Sequence, residues 1–168
     1  ALHVLEMEGF VESFPRIGYR VKQIRWDEVD EICEIRKGNE TLAARWAVER
    51  ITPQELISLQ KNLEAATADI EKGTPERFIE WDADFHEILV KASGSQRLLE
   101  ICQGLRRHMF LYRIKSVYKA ESAILAIEGH QAILSRLRER DAIGVENAIR
   151  DHLDHAKRSI RQHAFEQS

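Results

Sequence analysis

Long hydrophobic runs are missing from this sequence of 168 residues. No stretch approaches the ~18 apolar residues that a membrane-spanning helix needs, so no such span is expected. Cysteine is nearly absent: Cys33 and Cys102 stand far apart with no C-x-x-C pairing, which speaks against a disulfide framework and fits reduced thiols in a cytoplasmic protein. Both fall at helical positions and read as small core residues. The three prolines, Pro15, Pro53 and Pro75, mark turns or helix starts, and there is no low-complexity tract, repeat or long linker. An excess of one charge is also lacking, since 25 Lys and Arg face 28 Asp and Glu for a net charge of −3. Nucleic acid is therefore not called for by overall charge. No signal peptide opens the sequence, and Ala1, not being methionine, need not be a true start.

A hydrophobic content of 43% over this length supports one sizeable core with a small appendage. Punctuation predicts six helices between Trp26 and Phe165. The first spans Trp26 to Arg50, with Asp27 as its cap. Thr52-Pro53-Gln54-Glu55 then forms a capping box with proline at the first helical position, opening a second helix to Lys72. Gly73-Thr74-Pro75 repeats that signal for a third helix ending at Ser93-Gly94. Ser95 caps a fourth through Lys119, a fifth runs from Ser122 to Arg140, and a sixth from Ala142 to Phe165. Short connections favour an all-α antiparallel bundle.

Four residues break the apolar faces of these helices. In WDADFHEILV, Phe78, Asp82, Phe85, His86 and Leu89 form one stripe at the 3.6-residue period, with Asp82 and His86 one turn apart. His130 lies on the stripe with Ile127, Leu134 and Leu137, and His152 on that with Val145, Ile149, Ala156 and Ile160. Groups so costly to bury, repeated on three helices, suggest a shared divalent metal. The competing account makes them core polar residues, with Asp82 and His86 an ion pair. Arg36 shares a face with Val29, Ile32, Cys33, Glu40 and Ala43, which suits either a grip on a carboxylate ligand or a buried pair with Glu40. Arg113, at the edge of an apolar face, is a second anion-contact candidate. His3, His108, His155 and His163 read as solvated or peripheral.

Residues 1–25 have a different character. LHVLEMEGF reads as a helix end running into Gly9. FVESF and GYRVKQI are β-prone runs joined by Pro15-Arg16-Ile17-Gly18, a hairpin with a basic tip. Arg16, Arg20, Lys22 and Arg25 concentrate positive charge there.

Together these pieces resemble a known family. ALHVLEMEGFVESFPRIGYRV looks like the end of the winged-helix domain of GntR family transcription regulators. The rest resembles the FCD effector domain of the FadR subfamily, through IRKGNETLAARWA, the D-x-x-F-H of Asp82 to His86, ASGSQRLLE, the histidine of GHQAIL and that of IRDHL. The resemblance implies residues 1–25 as a truncated winged-helix tail and residues 26–168 as a metal-dependent effector domain. It implies Asp82, His86, His130 and His152 as ligands of a divalent ion, zinc foremost, with nickel, manganese or iron suiting the same donors. It further implies a small organic acid effector, a homodimer, an operator in the complete protein and cytoplasmic location. Arg16 and Arg20 would contact phosphates from the wing. The family pattern is departed from at Ser95, where asparagine is common, and at Gly129, where an acidic residue is common. A metal-dependent enzyme acting on a small carboxylate, and a metal-free helical interaction module, are the alternatives.

Overall fold

The computed structural model describes residues 2–7, 11–23, 25–117 and 119–166. Its elements are α1 (Leu2–Met7), the strands β1 (Val11–Phe14) and β2 (Gly18–Val21), then α2 (Trp26–Arg50), α3 (Pro53–Glu71), a 3-10 turn (Pro75–Arg77), α4 (Phe78–Ala92), α5 (Gln96–Val117), α6 (Ala120–Arg138) and α7 (Ala142–Ala164).

The hairpin is antiparallel, with Val11 opposite Val21, Glu12 opposite Arg20 and Phe14 opposite Gly18. Its tip turns through Arg16, whose φ of 65° is left-handed, followed by Gly18 at φ 124°. Arg20 crosses the ladder to Glu12 at 3.0 Å and lies over the Phe14 ring. The strands are shorter than the β-prone runs: Lys22 and Gln23 carry no ladder. Phe10 and Gly9 lie outside the described residues.

Six long helices follow, as the apolar stripes and capping signals predict. At Thr52 the capping box closes in both directions, Glu55 N–H donating to Thr52 Oγ1 at 3.2 Å and Thr52 N–H to Glu55 Oε2 at 2.8 Å. Ser95 Oγ accepts from Leu98 N–H at 3.3 Å at the start of α5. Asp27 does not cap α2. The helix is entered from Arg25, whose guanidinium forks onto the Asp27 carboxylate and leaves that side chain in the first turn. Pro75 opens a 3-10 turn and α4 begins only at Phe78. α5 ends at Val117 and α6 starts at Ala120, each two residues from the expected bound.

α2 lies against α4, α5 and α7, α6 against α7 and α3, and α3 against α4. The main core gathers Leu59, Leu63, Phe78, Phe85, Leu89, Ile133, Leu134, Leu137, Val145 and Ile149. Each such side chain contributes about 1.5–3 kcal/mol by leaving water. Arg140, itself left-handed at φ 55°, donates to the carbonyls of Val48 and Ile51, satisfying the C-terminal end of α2. No described helix is long and apolar enough to cross a membrane.

Candidate metal centre

Three helices bring Asp82 and His86 (α4), His130 (α6) and His152 (α7) to one point inside this core. All four are buried, and one donor atom from each lies within 4.8 Å of all the others. His86 Nε2 is 3.1 Å from His152 Nε2 and 3.3 Å from His130 Nε2. Asp82 Oδ1 stands 3.8 Å from His86 Nε2 and 3.5 Å from His130 Nε2. Donors placed around one ion at the Zn–N distance of about 2.0–2.1 Å stand about 3.0–3.4 Å apart, so the imidazole spacings match a coordination shell. The Asp82 carboxylate thus borders the same point as the imidazole nitrogens. The chemistry of this donor set fits a divalent transition metal.

The shell around the cluster orients it. His130 stacks on Phe85 with centroids 4.0 Å apart and planes 9° from parallel, which fixes its ring plane. Glu40, fully buried on α2, places Oε2 2.6 Å from His86 Nδ1. A carboxylate there favours the tautomer with the proton on Nδ1, leaving Nε2 as a lone-pair donor toward the cluster. Burial pushes the Glu40 carboxyl up, but the guanidinium of Arg36, the adjoining ring of His86 and the guanidinium of Arg106 outweigh it and hold the group well below the usual carboxylate range.

Gly129 explains how α6 and α7 approach so closely. A Cβ at this position would meet His152 Nδ1 at 2.6 Å and its Cβ and Cγ at 3.2 Å. Glycine is thus a seat for the His152 ring. Outside it, a groove of about 620 Å³ runs between α6 and α7, bordered by Gly129, Asp151, His152 and His155.

The remaining candidates divide. Arg36 is buried and donates from Nε to Glu40 Oε1 at 2.7 Å, so the pair predicted at one-turn spacing exists. Asp82 also acts electrostatically on Arg36. The Arg113 backbone belongs to α5, but its side chain lies outside the described residues. Arg16 and Arg20 are exposed on the hairpin, away from the cluster. His3 is exposed, whereas His108, His155 and His163 are half-buried. Cys33 and Cys102 are free, buried thiols, with Cys33 Sγ 3.9 Å from Met109 Sδ. Burial pushes their pKa up to about 11 and about 12.

Arg106 was invisible to periodicity. It sits in the run Arg106-Arg107-His108, which reads as solvated, yet its side chain is only 11% exposed and Nη1 comes 3.9 Å from Glu40 Oε1. Two arginines therefore converge on one oxygen of Glu40 while its other oxygen faces His86.

Comparison with known proteins agrees with this architecture. Residues 31–155 match the family model described as the FCD domain. Over 158 residues, 94% of this chain and 69% of the relative, the sequence is 28% identical to the HTH-type transcriptional repressor RspR of Escherichia coli K12. It is 30% identical over 152 residues to the HTH-type transcriptional regulator McbR of the same strain, covering 89% of this chain and 64% of that protein. The solved structure of E. coli McbR/YncC superposes with a TM-score of 0.85 at 25% identity, over 96% of this chain and 81% of that one. These proteins are regulators, not enzymes.

Proposed function

This chain belongs to the FCD-domain family of GntR-type transcription regulators, and from that premise we propose that its bundle is a metal-dependent sensor of a small carboxylate that modulates DNA binding. The observation that supports it is the convergence of four buried donors, Asp82, His86, His130 and His152, which would otherwise bear the cost of burial without a shared charge to offset it. Those residues would hold one divalent ion, zinc foremost, with nickel, manganese or iron as alternatives. The ion would supply a Lewis-acid centre for a carboxylate oxygen.

The protein's own residues then have distinct tasks. Glu40 orients His86, Phe85 holds the plane of His130, and Gly129 admits His152. Arg36 offers a buried guanidinium to the effector, with Arg113 of α5 as a second contact. α2 links this site to the hairpin along the chain, since it is one uninterrupted helix from Trp26, five residues after the end of β2, to Arg50. Arg36 lies ten residues along it, about 15 Å of helix. At its start, Trp26 packs edge-on against Phe165 at 5.5 Å with Arg161 over its ring, and Lys22 pairs with Glu28 at 2.8 Å. A shift of α2 on effector binding would therefore be felt at the hairpin.

In this reading, residues 1–25 are the tail of a winged-helix domain and 26–168 the effector domain. Arg16 and Arg20 contact phosphates, the protein works as a cytoplasmic homodimer, and the effector changes the spacing of two winged helices on an operator. Elemental analysis of purified protein and of His130→Ala tests the centre: about one metal per chain is expected, lost in the variant. Thermal shift with small carboxylic acids should then show stabilisation that vanishes on chelation. A metal-free protein whose stabilisation ignores chelator would reduce the four residues to core polar groups.

A further inference from the structure

Beside the metal cluster, two guanidinium groups have donors left over. Arg36 is 2% exposed, and its Nη2 has no hydrogen-bond acceptor among the described residues. Arg106 Nη1 is buried and likewise lacks one. Glu40 Oε1 stands 3.9 Å from this Nη1, and Glu87 Oε2 stands 3.9 Å from Nη2 of the same guanidinium, both beyond hydrogen-bond range. Glu87 is already engaged at the rim by Lys91 at 2.6 Å and Gln103 at 3.3 Å. Glu40 Oε1 is occupied by Arg36 Nε. Buried guanidinium N–H groups without acceptors are costly and rare, and two on the same carboxylate point to an anion that would complete them.

The buried charge agrees. Among the described residues at this site, Arg36 and Arg106 balance Glu40 and Asp82, while metal-binding histidines are neutral. A divalent ion would then leave two positive charges enclosed. A monocarboxylate neutralises one of them; an effector with two carboxylates neutralises both. Arginine is suited to the second carboxylate, because its planar fork matches two oxygens in one plane.

We propose that the effector is a short-chain dicarboxylate, one carboxylate lying at the metal centre and the other held between Arg36 and Arg106. This rests on the metal-and-carboxylate reading above and adds Arg106 as the residue that sets the preference for a second negative group.

The test compares acetate with malonate, succinate and glutarate by calorimetric titration of the zinc-loaded chain. The best of the three dicarboxylates is expected to bind at least about tenfold more tightly than acetate, the size of one charge-assisted contact. In Arg106→Met that ratio should collapse toward one, with zinc content confirming that the centre persists. Arg106→Lys keeps the charge without the fork, and should retain only part of the ratio if the methionine variant does not fold. The proposal is overturned if no dicarboxylate outbinds acetate in the unaltered chain, or if the ratio survives in both variants. Failure of the underlying reading looks different: dicarboxylate binding to zinc-free protein that still depends on Arg106 would leave the anion subsite and remove the metal's part. Absence of binding by every acid, with or without zinc, would overturn both.

Discussion

Glu40 Oε2 stands 2.6 Å from His86 Nδ1, and the other oxygen of the same carboxylate accepts from Arg36 Nε at 2.7 Å. One fully buried side chain thus stands beside a candidate ligand, where it favours the tautomer protonated on Nδ1, and compensates a buried cation.

Glu40→Gln should therefore act on stability and on metal at once. Arg36 and Arg106 would be left without their buried counter-charge, a loss of about 3–5 kcal/mol in denaturant unfolding at neutral pH. Metal affinity should fall about 10–100-fold in a competition titration, as when an outer carboxylate is removed from a ligating histidine. Unaltered metal affinity would show that His86 needs no orienting by Glu40.

A second change separates packing from charge. Gly129→Ala would gain up to about 1 kcal/mol of helix propensity. Against this, the new Cβ would sit 2.6 Å from His152 Nδ1, and both atoms are tied to packed helices. Such overpacking costs about 1–3 kcal/mol, so the clash should win. A modestly lower melting temperature and at least about tenfold weaker metal binding are expected. Metal affinity matching the unaltered chain would mean that His152 moves aside freely or is not a ligand.

Asp82, His86, His130 and His152 were legible in the sequence because each interrupts an apolar stripe of known period, and stripes survive folding. Arg36 was legible for the same reason, although only the structure settles that it pairs with Glu40. Arg106 was not, because its neighbours Arg107 and His108 give a charge run, and only the packing of α5 on α2 shows that one of the three turns inward. The importance of Gly129 could not be read either, since it depends on a side chain from another helix. Asp27 misled because capping residues compete for partners, and Arg25 won that competition.

Burial raises both thiols, which makes a pH prediction. From the ordinary value of 9.0, Cys33 moves to about 11 and Cys102 to about 12. The folded state thus keeps protons that the unfolded chain releases. Their contribution to stability is complete below about pH 9 and is lost as pH rises toward 11–12. At pH 8 the thiolate of Cys33 is only about one part in a thousand, so a thiol reagent should find both cysteines slow in native protein and both reactive in denaturant. Fast labelling of the native chain would contradict their burial.

Thr52→Ala isolates the fold from the site. The capping box of Thr52 and Glu55 satisfies two backbone N–H donors at the start of α3, and its removal should cost about 1 kcal/mol. None of the four candidate ligands lies on α3, yet α3 packs on α4 and α6, which carry three of them. If the metal centre is a local property of buried donors, metal content and affinity should match the unaltered chain while the denaturation midpoint falls. If instead metal affinity falls in step with stability, the site is assembled only by the full bundle, and losses seen in Glu40→Gln or Gly129→Ala would have to be corrected for that coupling before being assigned to His86 or His152.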